Sequence, residues 1–279
     1  MSIKHKLKHF FFCIQNKSLR SSIEYEINAH FGHSEYSIIF DIREPHHLDT
    51  VCFWIIEKIT SKRIFFGKFI LNTNDLSIEQ AGFKRYKGKE FIDQTLKLHS
   101  NKQLLNIPTV FKISENIIIF EYLAYPTFKS LYEMGHSPWD LITRSINSLR
   151  NLHQLKVYHY DPNWENILLD QKYNNVYFID FDREILINTF SFDRNFFDIF
   201  KVFTNLFELK YTRKWAAQNE NKIIEYYLEA LTPSELKSFS MLTEKEIRII
   251  FPKIDKKPIL DNALKHIIIK IKNKLTLTS

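Results

Sequence analysis

The stretch that most constrains this chain is a polar loop followed by a hairpin: His159-Tyr-Asp161-Pro-Asn163-Trp-Glu-Asn166, then Ile-Leu-Leu-Asp170, a polar turn, and Val-Tyr-Phe-Ile-Asp180-Phe-Asp182. Two short apolar runs, Ile167 to Leu169 and Val176 to Ile179, flank Asp170-Gln-Lys-Tyr-Asn-Asn175, which is a hairpin signature. A hairpin returns the chain, so Asp180 is expected beside Asn166 although the two are well separated in sequence. An H-x-D-x-x-x-x-N loop followed by a D-F element implies phosphoryl transfer. Asp161 would orient an acceptor hydroxyl and take its proton, while Asn166 and Asp180 would hold magnesium, which demands clustered hard oxygen ligands. The plainer reading of the same residues is an acidic turn capped by Asx side chains.

The 279 residues suffice for one large domain or for two lobes sharing a cleft. An apolar content of 44% and a charged content of 25% exclude a disordered chain, and no apolar run approaches a membrane span. Met1 to Ile14 has a basic start but too brief an apolar core for a signal peptide. Cys13 and Cys52 form neither a disulfide framework nor a metal cluster, so a reducing compartment, the cytoplasm, is expected. Lys and Arg outnumber Asp and Glu by 39 to 32, a net charge of +7, which favours an anionic partner: nucleic acid, phospholipid or phosphorylated sugar. The absence of zinc-finger, RNA-recognition and helix-turn-helix patterns makes nucleic acid the weakest of these, and none is expected as a partner.

Residues 1–34 read as a basic leader in which Lys4, Lys6, Lys8 and Lys17 alternate with apolar residues, suited either to an anionic membrane surface or to packing on the lobe that follows. Three β-rich runs, Tyr36 to Ile42, Val51 to Ile59 and Arg63 to Leu71, predict an antiparallel meander. Phe83 to Ser100 turns to helical spacing and carries Glu90. Val110 to Ile113 and Ile117 to Phe120 predict another hairpin, and Glu121 to Pro126 a crossing between lobes. Beyond it, Ser137-Pro138-Trp139-Asp140 predicts a hydroxyl-capped helix running to about His153, and Thr232 to Glu235 and Thr243 to Glu246 predict capping boxes in a helical tail. The domains expected are thus the leader, a sheet-rich lobe over 35–123 and a helical lobe over 124–279.

Lys68, in Phe-Phe-Gly-Lys-Phe-Ile on the third strand, shares a face with Phe66 and Ile70. An ammonium there needs an anionic partner. It matches a strand lysine that neutralises the α- and β-phosphates of ATP, with Glu90 as counter-ion, although Glu79 and Lys84 compete for these assignments. His159 reads as a packed residue that shapes the loop. Asp198, in Phe-Phe-Asp-Ile-Phe, reads either as an interior brace of that loop or as a solvated helix-start carboxylate.

The run Asp161-Pro-Asn163-Trp-Glu-Asn166-Ile-Leu-Leu-Asp with Tyr-Phe-Ile-Asp180-Phe-Asp182-Arg resembles the bacterial lipopolysaccharide kinase family, the Kdo and heptose kinases of the inner core. That family's loop reads D-x-N-x-x-N-I-L-L-D with I-D-F-D after it, and Asn163 and Asp182 follow this form. The resemblance, over roughly residues 35 to 205, implies an α+β, two-lobed, protein-kinase-like fold with a small antiparallel-sheet N-lobe carrying one helix and a larger helical C-lobe. It implies transfer of the γ-phosphate of ATP, with Mg2+, to a sugar hydroxyl of the lipopolysaccharide core, first of all Kdo on lipid A, with heptose as the near alternative. It places Asp161 and Asn163 in catalysis, Lys68, Glu90, Asn166 and Asp180 on the nucleotide, and Asn166 and Asp180 on the metal. An anionic glycolipid and the cytoplasmic face of the inner membrane are the implied partners; the number of copies that assemble is left open. The turn Arg43-Glu-Pro-His-His-Leu-Asp49 contains no glycine, so Arg43, His46 or His47 would have to meet phosphate by charge. Two further alternatives stay open: an aminoglycoside- or choline-type phosphotransferase and a non-catalytic pseudokinase. Tyr160 stands where many protein kinases have a phosphate-sensing arginine, so no phosphorylation switch is expected.

Overall fold

A computed structural model describes residues 18–32, 35–40, 50–71, 73–74, 76–80, 83–99, 106–172, 174–185, 190, 192, 194–252 and 254–278. The lysines at 4, 6, 8 and 17, Cys13 and the glycine-free turn at 43–49 lie outside the described residues. In chain order the elements are α1 (18–31), β1 (Tyr36–Phe40), β2 (Thr50–Glu57), β3 (Arg63–Ile70), β4 (Ile78–Gln80), β5 (Phe83–Arg85), α2 (Gly88–His99), β6 (Val110–Lys112) and β7 (Ile117–Glu121). There follow α3 (Phe128–Glu133), α4 (Pro138–Gln154), β8 (Ile167–Asp170), β9 (Asn175–Phe178), β10 (Arg183–Ile185), α5 (Arg194–Glu208), α6 (Arg213–Gln218), α7 (Glu220–Ala230), α8 (Pro233–Met241), α9 (Glu244–Ile250) and α10 (Pro258–Thr278). The chain divides into two compact units, 1–77 with 87–102 and 108–124, and 78–86 with 103–107 and 125–279.

In the first unit β1, β2, β3, β7 and β6 form an antiparallel sheet in that order. Period-two alternation along β2 buries Val51, Phe53 and Ile55 on one face. Ile23 and Ile27, four residues apart on α1 and both fully buried, close that face together with Ile38, Phe69, Ile117 and Ile119. Each such isoleucine contributes roughly 1.5–3 kcal/mol, so the described part of the expected leader is held by the sheet as a second helix of this unit. The opposite face carries Trp54, Phe66 and Phe120 in ring contact, and Lys68.

Segment 78–86 belongs to the second unit, where β4, β5 and β10 form a small antiparallel sheet. This corrects the helix expected from Phe83. Phe83 to Arg85 pairs with Ile185 to Arg183, and the Phe83 ring packs 5.4 and 5.5 Å from those of Phe190 and Phe197. Pairing and burial override the helical spacing there, and α2 begins only at Gly88, whose φ of 53° turns the chain into the helix.

The rest of the second unit is helical. α4 has Pro138 in its first turn and Asp140 beside it, but Ser137 makes no side-chain capping bond, contrary to expectation. Both capping boxes form, Thr232 with Glu235 on α8 and Thr243 with Glu246 on α9. α5 is apolar nearly all round and buried: Phe196, Phe200, Phe203 and Phe207 are each at most 1% exposed. Among the described residues no helix is long and apolar enough to cross a membrane.

Candidate active site

The loop after α4 is held in a conformation its residues would not choose alone. Tyr160 has a φ of 61°, a left-handed backbone that costs a bulky residue roughly 1–3 kcal/mol and persists only when its surroundings impose it. Here the fully buried Asp198 of α5 imposes it. Its Oδ1 accepts the Tyr160 N–H at 2.6 Å and its Oδ2 accepts the His159 N–H at 2.8 Å. His153 Nε2, on the last turn of α4, stands 2.9 Å from the same Oδ2. Three donors make a buried carboxylate tolerable, so Asp198 is the interior brace rather than a solvated cap.

His159 is fully buried between the Phe178 and Phe181 rings. Its Nε2–H donates to the Ile179 carbonyl at 2.9 Å and its Nδ1 accepts the Asp161 N–H at 3.3 Å. Imidazole thereby ties the start of the loop to the end of β9. The predicted hairpin forms, with Ile167 opposite Phe178 and Asp170 opposite Asn175. Ile179 N–H donates to the Asn166 carbonyl at 3.0 Å, so the residue before Asp180 is bonded directly to Asn166.

Asp161 is 18% exposed, and its Oδ2 pairs with Arg183 Nη1 at 3.2 Å. Among the described residues Oδ1 takes no partner. The Asp161 carbonyl accepts Asn166 Nδ2 at 3.1 Å, which fixes the carboxamide and turns its oxygen away from that bond. Asn163 spends its own side-chain oxygen on the Glu165 N–H at 2.8 Å, an Asx turn, leaving its Nδ2 as the group it can offer a substrate. Asp180 is exposed, in a left-handed conformation with φ 68°. Asp182 is buried, bonded to Arg85 Nε at 3.1 Å, and its carbonyl accepts the Tyr86 N–H, so it anchors β5.

Lys68 and Glu90 lie in the first unit, Asp161, Asn163, Asn166 and Asp180 in the second. Lys68 Nζ sits over the Phe91 and Phe120 rings at 5.1 and 5.8 Å. Glu90 accepts the Ser77 hydroxyl at 2.6 Å.

No cluster of three or more His, Cys, Asp or Glu side chains suited to a metal occurs among the described residues. The donor set at Asn166 and Asp180 is one carboxamide and one carboxylate, hard oxygens that suit magnesium when phosphate and water complete its shell. The residues present therefore fit a magnesium–nucleotide complex.

Two charged neighbours of Asp161 were not singled out from sequence. Arg183 directly follows Asp182, and Lys201 is the one cation in the phenylalanine-rich stretch Phe196 to Phe207 of α5, the signal by which it was findable. Burial pushes the Lys201 ammonium below its ordinary pKa, opposed by the charges of Glu208 and Asp161.

Residues 131–227 match the Lipopolysaccharide kinase (Kdo/WaaP) family. The matched segment contains Asp161, Asn163, Asn166 and Asp180, so the loop and hairpin are those of a kinase-type phosphotransferase; Lys68 and Glu90 fall outside it. No curated protein matches the chain. Among solved structures, the Cydia pomonella Granulovirus kinase PK-1 matches at 17% identity, covering 91% of this chain and 99% of its own, with a TM-score of 0.40.

Proposed function

We propose that this protein moves the γ-phosphate of ATP to a sugar hydroxyl of the lipopolysaccharide inner core, with Kdo on lipid A as the first acceptor to test and core heptose as the second. The observation that carries the reading is the arrangement around Asp161: one carboxylate oxygen held by Arg183, the other without a partner among the described residues, and Asn166 bound to the Asp161 carbonyl.

In this reading Oδ1 of Asp161 accepts the hydrogen bond of the acceptor hydroxyl, orients its lone pair and takes its proton as the bond to phosphorus forms. Magnesium-bound ATP supplies the phosphoryl group and a counter-charge for it. Asn166 and Asp180 hold that complex, Asn163 offers an amide donor, and Lys68, with Glu90 as counter-ion, neutralises the α- and β-phosphates. The product is a sugar phosphate. The net charge of +7 favours a glycolipid that carries carboxylate and phosphate, and supports a peripheral position at the cytoplasmic face of the inner membrane.

The test is ATP consumption and product mass with four acceptors: a Kdo-bearing lipid A precursor, a heptose-bearing core fragment, an aminoglycoside and choline. Product is expected from the first or second, abolished by chelating magnesium. Product from the cationic acceptors alone, or from none, overturns the reading.

A further inference from the structure

Arg183 opens β10 and pairs across the strands with Arg85 of β5. Like charges directly opposite each other destabilise a strand pair unless an anion lies between them. Asp182 is that anion: its Oδ2 accepts the Arg85 Nε–H at 3.1 Å, and its Oδ1 stands 3.5 Å from Arg183 Nε. The buried carboxylate thus holds the guanidinium at one end. At the other end Arg183 Nη1 forms an ion pair with Asp161 Oδ2 at 3.2 Å. Arg85, Asp182, Arg183 and Asp161 make an alternating chain of charges that runs from β5 to the catalytic loop, all of it within the second unit. The χ2 torsion of an aspartate is broad and two-fold, so an unheld carboxylate presents either oxygen over a range of angles. A general base has to lie within hydrogen-bond reach of the proton it takes, with its lone pair aligned. With its side chain 45% exposed, the Arg183 guanidinium is screened by water, so its ion pair supplies orientation more than stability.

We propose that Arg183 is a positioning residue for the base: held at Nε by Asp182, it pins Oδ2 of Asp161 and so directs Oδ1 at the acceptor hydroxyl. The proposal rests on Asp161 being the base and names the residue that decides which of its two oxygens takes the proton. Asp182 then acts at one remove, as the anchor of the arginine.

The experiment uses the full chain with whichever of the two lipopolysaccharide acceptors yields product, and measures kcat, acceptor KM and ATP KM beside thermal melts. R183A and R183M both remove the charge, and R183M keeps the apolar stem. Each is expected to lower kcat about tenfold to a hundredfold, the cost of a misplaced catalytic group, with both KM values within about twofold of the wild type. R183K keeps a charge beside Asp161 but has no Nε for Asp182 to grip, and is expected to recover part of the loss. The decisive comparison is D161N against the double variant D161N/R183A. A residue that acts through the Asp161 carboxylate adds nothing once that carboxylate is gone, so the two should turn over equally within about twofold. The proposal is overturned if R183M keeps full turnover, if the loss falls on acceptor KM at unchanged kcat, or if R183A costs as much in the D161N background as in the wild type. Where R183A fails to fold, R183M decides; if neither folds, Arg183 is structural and the proposal falls. Full turnover by R183M beside an impaired D161N would sink the positioning role and leave phosphotransfer standing, whereas no product from the wild type sinks both.

Discussion

Asp198 orders a loop in which it does not itself react. The N–H groups of His159 and Tyr160 and the ring of His153 all end on this one buried carboxylate, and Tyr160 keeps its left-handed backbone through it. Removing the side chain leaves three buried donors unpaired and lets Tyr160 relax, which shifts Asp161 one residue on. Asp198→Ala is therefore expected to cost about 3–5 kcal/mol of stability, the range for breaking a buried charged network, and to lower turnover in the fraction that stays folded. Urea unfolding beside kcat checks both; a variant as stable as the wild type contradicts the bracing role. The sequence showed a carboxylate among phenylalanines, which marks burial. Its donors lie 38 or more residues away and carry no local signature. Asn163 is the opposite case, because its turn-capping bond to Glu165 is local.

At the scale of elements, what was legible was what depends on short-range pattern. The β8–β9 hairpin, the strands of the meander and both capping boxes follow from alternation, turn residues and hydroxyl–carboxylate spacing. What was not legible depends on distant partners: Phe83 to Arg85 is a strand because β10 is there to pair with it, and α1 is a helix of the first unit because the sheet offers Ile23 and Ile27 a face. Gly67 on β3 is a third such case. It pairs with Phe53 on β2, whose ring occupies the space a Cβ at position 67 would need. Gly67→Ala is expected to cost about 1–3 kcal/mol by overpacking, with Phe53→Leu in the same chain restoring part of it. Thermal melts of the two single variants and the double variant test this, and additive losses would contradict the contact.

For the whole molecule, the two units carry different parts of the proposed chemistry, the strand lysine and its glutamate in the first, the base and both metal ligands in the second. The family match covers 131–227, which takes in the loop, the hairpin and the helix that carries Asp198. Phosphoryl transfer from ATP to a lipopolysaccharide core precursor by the wild type and by Asp161→Asn is the direct test of Asp161 as the base. The account predicts phosphorylated glycolipid from the wild type and a turnover lower by about 10²–10⁴ in the variant, with an unchanged melting temperature; full turnover by Asp161→Asn, or no product from the wild type, would contradict it.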